Sequence, residues 1–249
     1  MTHSLTSIPA ESDLLCEGCG YTLNGLPAGA LCPECAKPTA ESAPNLRQSA
    51  SWERAGSGAE IARSFISTTL AVLFWPTAFY RTLATRQTRK RSRQFAGIHW
   101  VIVSMLFGIA AYYHFNWYRR MGSLPWWADK LDLPVPAILT LTGISYVLLL
   151  VTTRLAASLT TWEAGYRGYR LPLPVVLRGL DYHAAHYLPV GLVGAGTVVA
   201  YHLLDTSSKV SGQSGPVYLY VLCGEVLLSA VYLFWTYWIG MRNMMFANA

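Results

Sequence analysis

The sequence predicts an all-α fold, a multi-pass transmembrane helical bundle with four clear spans, or five if one further segment crosses. A small cysteine-bearing head and a flexible linker precede it. Three observations predict this. Hydrophobic residues make up 53% of the 249 and charged residues 13%, about half the charged share of a soluble domain. Four apolar stretches have the length that crosses a hydrocarbon core as a helix, where every backbone amide is satisfied internally. Two CxxC pairs, Cys16-Glu17-Gly18-Cys19 and Cys32-Pro33-Glu34-Cys35, stand before the first of them.

Residues 1–15 are polar and read as a mobile N-terminal stretch. They lack a basic region followed by an apolar one, so no cleavable signal is expected and the head should stay on the side where it is made. In residues 16–35, each CxxC turn presents two sulfurs to one ion, and four thiolates satisfy a tetrahedral zinc. Cys16, Cys19, Cys32 and Cys35 are therefore the candidate ligands of one structural zinc ion. Two disulfides or four free thiols are the alternatives. A redox CxxC normally sits singly among strands and helices that this head is too short to supply. A closed four-cysteine site leaves no position for a substrate and favours a reducing compartment. Cys223, inside an apolar run, reads as a small packed hydrophobe.

Residues 36–60 are rich in Ala, Ser, Pro, Glu and Gly and read as a flexible linker. The membrane domain covers 61–249. Its opening segment, 61–83, carries an apolar run cut by Pro76, too short to span, and is expected to be interfacial or re-entrant. Cations then crowd the chain. Arg86, Arg89, Lys90, Arg91 and Arg93 read as a topogenic cytoplasmic loop and as a membrane-surface binding set for anionic lipid. The net charge of +6 lies beside hydrophobic spans rather than on a basic face, so lipid and not nucleic acid is the expected counter-charge. The spans run from about 97–118, 134–155, 186–204 and 217–239. The loop from Arg154 to Arg178 is basic and the one from Thr206 to Pro216 is not, which places the head in the cytoplasm. Arg119, Arg120 and Lys130 run against that pattern. Four crossings put both ends on one side, and a fifth would separate them.

Two places invite chemistry. Asp181, His183 and His186 could hold a metal at the mouth of the third span, and with Glu163 or Glu225 could form an intramembrane hydrolase. They lack the HExxH arrangement that sets a base beside zinc-bound water. Glu225 lies inside the fourth span, where an ionisable group is expensive. It is read as a hydrogen-bonding partner of a histidine such as His202, or of Tyr or Ser, or as a transport or proton-relay residue. Gly191, Gly194 and Gly196 offer a small-residue packing face.

Cys16 to Tyr21, Leu23-Asn24-Gly25-Leu26-Pro27 and Cys32 to Cys35 together resemble the short zinc ribbons at the head of many bacterial membrane proteins. The departure is Ala36, where a glycine is usual. Leu73-Phe74-Trp75-Pro76 with Phe79-Tyr80-Arg81, and Leu180 to Pro189, resemble the Yip family, whose members carry a short proline-ended segment, a basic loop and a compact bundle. That family usually has five spans. The resemblance implies a multi-pass scaffold of the bacterial inner membrane with no catalytic residues, binding an unidentified protein partner through its ribbon and acting in membrane organisation or trafficking. Association with further copies is left open. The alternatives are a small-solute or proton-coupled transporter using Glu225 and, behind it, the metal-dependent hydrolase.

Overall fold

A computed structural model describes residues 8–10, 12–27, 29–120, 134–207 and 214–248. Among them there are only isolated bridges in place of strands, and the chain is helical: α1 (Ser51–Arg54), α2 (Gly58–Phe74), α3 (Pro76–Thr82), α4 (Lys90–Arg120), α5 (Pro134–Arg167), α6 (Leu173–His183), α7 (Tyr187–Ser207) and α8 (Ser214–Met244). Four stretches are long and apolar enough to cross a membrane: Lys90–Arg119, Pro134–Arg167, Leu173–Leu204 and Val217–Met244. The protein is thus an all-α bundle of multi-pass type.

Local chemistry sets the helix ends. Pro76 cannot donate to the turn before it, so α2 stops at Phe74, Trp75 leaves helical geometry (φ −132°, ψ 50°), and Pro76 opens α3. The α5 helix ends at Gly168, whose φ of +74° reverses the chain. Tyr169 N–H then donates to Ala164 O and Gly168 N–H to Gly165 O, which closes the helix end. Pro189, in the first turn of α7, cannot donate to the turn before it, and the chain passes from α6 to α7 through a 3-10 turn at Ala184–His186.

The helices run longer than their apolar cores. The 34 residues of α5 and the 31 of α8 measure roughly 51 and 47 Å, against about 30 Å of hydrocarbon. Accordingly the chain divides into two compact units. One holds Met1–Ala96, Thr152–Ala185 and Trp235–Ala249, and the other holds Gly97–Val151 and His186–Phe234.

In the first unit an aromatic core joins elements far apart in sequence. Trp52 meets Phe65 at 5.5 Å between centroids, Phe65 meets Phe95 at 5.2 Å, and Tyr182 meets Phe95 at 5.2 Å and Phe79 at 5.0 Å. Residues 36–60, expected as a flexible linker, carry short helical turns and buried side chains. Two 3-10 turns (Thr39–Ser42, Pro44–Leu46) lead to α1, and Ala50, Trp52 and Arg47 are buried. Trp52 N–H donates to Thr68 Oγ1 at 3.1 Å and its indole N–H to Arg91 O at 2.7 Å. The composition of the stretch conceals two anchors, a tryptophan that fills a core and an arginine that satisfies a cluster of carbonyls.

The second unit buries an aromatic cluster where α4 ends and α8 begins. Tyr201 stacks on Tyr218 at 4.1 Å, Trp117 meets Tyr218 at 5.1 Å, and His114 Nδ1 lies 2.8 Å from the Tyr218 hydroxyl. Of the three glycines expected to pack, Gly191 lies close to Leu106 and Val103, while Gly194 and Gly196 face open space. The tightest crossing is elsewhere. A Cβ on Gly108 would sit 2.9 Å from Thr142 N and 3.0 Å from Ile138 O, so α4 and α5 approach backbone to backbone there. Cys223, expected to be packed, is exposed on α8 among Val226, Leu227 and Leu228, on a surface suited to lipid rather than to a neighbouring helix.

Candidate metal centre

Two matching turns build the head. In the first, Cys16 N–H donates to Tyr21 O and Gly20 N–H to Cys16 O, each at 2.8 Å; in the second, Cys32 N–H donates to Lys37 O and Ala36 N–H to Cys32 O, each at 2.8 Å. Leu15 pairs with Thr22 and Leu31 with Pro38 behind them. Both turns need a left-handed residue at the same place. Gly20 adopts it at φ +84°, and Ala36 at φ +56°.

The turns bring four thiols together. Cys16 Sγ lies 3.5 Å from Cys35 Sγ, Cys19 Sγ lies 3.6 Å from Cys32 Sγ, and all four sulfurs fall within 4.8 Å of one another. A disulfide would hold its sulfurs at about 2.0 Å, so the thiols are not bridged in pairs. Sulfurs on a tetrahedron of 2.3 Å bonds stand about 3.8 Å apart, and a metal ion fits the spacing. Among the described residues this is the one group of three or more His, Cys, Asp or Glu side chains placed to hold a metal.

The sulfurs differ in how readily they ionise. Desolvation works against the Cys32 thiolate, yet the amides of Cys35 and Glu34 bring its pKa down to about 7. Cys19 goes the other way, up to about 12, through desolvation of its sulfur and then its hydrogen bonds to the other three thiols, against the pull of the Tyr21 amide. Metal uptake must therefore release protons, and acid must expel the metal.

Ala36 carries the strain of the second turn. A left-handed L-residue costs roughly 1–2 kcal/mol more than glycine would. Ala36→Gly is expected to strengthen metal retention by about tenfold, read as the rate of loss to a chelator. A faster loss than in the parent would show that the alanine is not strained.

The head is fastened rather than free. Glu17, between the first two cysteines, receives a bidentate pair from Arg47 at 2.7 and 2.9 Å, and its Oε1 also accepts Asn248 N–H at 2.9 Å. Arg47 donates onward to Tyr80 O, Leu83 O and Asn243 O. Asn248 is buried; its side chain accepts from Leu15 N–H at 2.9 Å and donates to Leu15 O at 2.7 Å and Ser42 O at 2.8 Å. Arg170 closes the arrangement, donating to Ala10 O, Asp13 O, Ala247 O and Asn248 Oδ1. Residues 15 and 248 therefore share one side of any membrane, and the number of crossings between them is even. Within 61–83, α2 and α3 are separate shorter helices, and neither is among the stretches of the described residues long and apolar enough to cross.

Gly20 adds a packing reason to its conformational one, because a Cβ there would enter the Phe246 ring at 2.5 to 2.9 Å. None of Glu17, Arg47, Arg170 or Asn248 stood out in the sequence. The one available signal was a carboxylate inside the CxxC turn, and a spacer glutamate at the surface reads the same way.

The remaining candidates disperse. Asp181 is buried and holds Arg89 at 2.8 and 3.1 Å and Ser92 Oγ at 2.8 Å. His183 Nε2 lies 3.0 Å from Thr236 Oγ1, and His186 Nδ1 lies 2.8 Å from the Tyr232 hydroxyl. The three serve different partners and form no metal group among the described residues. Glu163 pairs with Arg167 at the surface. Glu225 Oε1 accepts from Thr197 Oγ1, not from the histidine, Tyr or Ser expected, and Glu225 Oε2 is buried with no hydrogen-bond partner among the described residues. His202 packs edge-on to Tyr113 at 4.8 Å. In the basic loop, Arg89 is taken up by Asp181, while Arg91 donates to Ala55 O and covers the Trp52 ring. Arg86, Lys90 and Arg93 are exposed.

Comparison with protein-family models, with curated proteins and with solved structures finds no match to this chain.

Proposed function

We propose that the chain is a non-enzymatic integral membrane scaffold whose head is a zinc ribbon facing the cytoplasm of a bacterial inner membrane, with an unidentified protein as its partner. The observation that carries this reading is the closed set of four sulfurs within 4.8 Å, which leaves no position for a substrate. The all-sulfur, tetrahedral spacing suits zinc among the divalent ions, and the metal would act by holding the two turns together. The ribbon resemblance gains support from the two matched turns. The Yip-like reading of the membrane part rests on its proline-ended opening segment and basic loop, and an even crossing number departs from that family's usual five. The cytoplasmic side follows from the basic loops, with residues 15 and 248 together on it.

Metal analysis of the full-length protein should give one zinc per chain. In intact cells, an impermeant maleimide should spare Gln87→Cys and label Lys130→Cys. Labelling of the position-87 variant from outside would overturn the orientation, and an iron content matching the cysteines would overturn the metal.

A second reading, a proton-coupled transporter, is favoured by one observation: Glu225 carries a buried carboxylate oxygen that no described residue satisfies. In proteoliposomes the scaffold reading expects no proton flux in either the parent or Glu225→Gln. A flux present in the parent and lost in the variant would establish the transporter.

A further inference from the structure

A cavity of about 380 Å³ opens beside the ribbon, lined on one side by Lys37 and Glu41 and on the other by Arg81, Trp235, Trp238 and Arg242. Three cations face it. Of its two carboxylates, Glu17 is already committed to Arg47 at 2.7 Å, and Glu41 meets Arg81 at 3.1 Å on the exposed surface. An exposed pair of that kind exchanges partners readily. Lys37 and Arg242, both exposed, bring charge that neither carboxylate answers.

The opposite wall is apolar and sits at a particular depth. Trp235, Trp238 and Arg242 fall at i, i+3 and i+7 on α8, so they share one face of that helix. The two indoles are 62% and 44% exposed. They end the apolar part of a spanning helix, and a cation follows one turn later. Tryptophan in that position marks the headgroup level of a bilayer, with the cation reaching toward the phosphates.

We propose that this cavity binds the headgroup of an anionic phospholipid. Lys37 and Arg242 hold the phosphate, Arg81 can turn to it from Glu41, and the glycerol and first acyl carbons lie against Trp235 and Trp238. Free phosphate would leave both indoles uncovered, and an acidic peptide would not account for tryptophans at bilayer depth. The exposed cations of the basic loop, Lys90 and Arg93, do not line this cavity. The lipid site is tied to the metal turn through the Lys37 backbone, whose carbonyl accepts the Cys32 amide at 2.8 Å.

The test is native mass spectrometry of the full-length, metal-loaded protein released from nanodiscs of mixed phosphatidylglycerol and phosphatidylcholine. Retained phosphatidylglycerol is expected in excess. Lys37→Gln with Arg242→Gln should reduce its retention by about tenfold or more, while Arg54→Gln with Arg63→Gln, two exposed cations outside the cavity whose loss removes the same charge, should not. Trp238→Ala should reduce it as well. Equal effects of the two charge pairs would mean diffuse attraction and would overturn the site, as would unchanged retention in the cavity variant. If millimolar inorganic phosphate displaces the lipid and Trp238→Ala has no effect, the cavity is a phosphate site and the lipid proposal fails. If the double cavity variant loses its metal, Trp238→Ala, which lies outside the ribbon, decides alone.

Discussion

Cys32→Ser is expected to abolish metal binding and unfasten the head from the unit around it, while the four long apolar helices should still insert. The size of the effect follows from what the metal supplies. The buried core of the head is small, built from Leu23 and two of the cysteines, and a metal in such a module contributes about 10–16 kcal/mol of apparent folding free energy at neutral pH. Without it the two turns open, and Glu17 and Leu15 no longer meet Arg47 and Asn248. Arg47 is 7% exposed, so its guanidinium is left in a dry place without its carboxylate. Limited proteolysis should then cut within 36–60, which resists in the metal-loaded protein, and a chelator should reproduce the cut in the parent. Membrane extraction should show the variant still integral. If the variant is cut no faster than the parent, the head is an appendage and the fastening carries no weight.

Glu53→Ala comes second in expected size. Arg178 is 1% exposed and donates to Glu53 Oε2 at 2.6 Å, to Ala84 O at 2.8 Å and to Thr88 O at 3.5 Å, while the Tyr182 hydroxyl donates to Glu53 Oε1 at 2.7 Å. Removing the carboxylate strands a buried cation and a buried hydroxyl together. The expected loss is about 3–5 kcal/mol, measured by denaturant unfolding in detergent. Replacing both members with apolar residues, Glu53→Met and Arg178→Met, should recover much of the loss, since the desolvation of both charges disappears with them. A double variant as unstable as Glu53→Ala would mean that the carbonyls of Ala84 and Thr88, not the ion pair, set the cost.

The parts of this molecule that could be read from its sequence are those written in local spacing. CxxC pairs encode turns that direct sulfurs at one ion, span-length apolar runs encode helices, and Pro76 encodes a break. The same cannot be said of the residues that tie the head down. Glu17, Arg47, Arg170 and Asn248 each act across 30 positions or more, and Asn248 reaches Leu15 over 233. No pattern on either side announces that meeting. The basic residues misled for a related reason. A rule that counts arginines in loops sees charge but not its destination, and Arg89, Arg91 and Arg178 spend theirs on Asp181, on the backbone and on Glu53. Glu225 was visible as an anomaly because a carboxylate in an apolar run breaks a pattern, although its donor, Thr197, was not.

The bond between Leu15 and Asn248 has a consequence for how the molecule is made. The ribosome delivers the cysteines ahead of the four long apolar helices and Asn248 behind them, so the head can close on its ion early and then wait. Its latch is reached only by a chain that has threaded the bilayer an even number of times. A nascent protein that skips a helix strands Asn248 across the lipid and leaves Arg47 and Arg170 short of acceptors, a defect that a quality-control protease could detect.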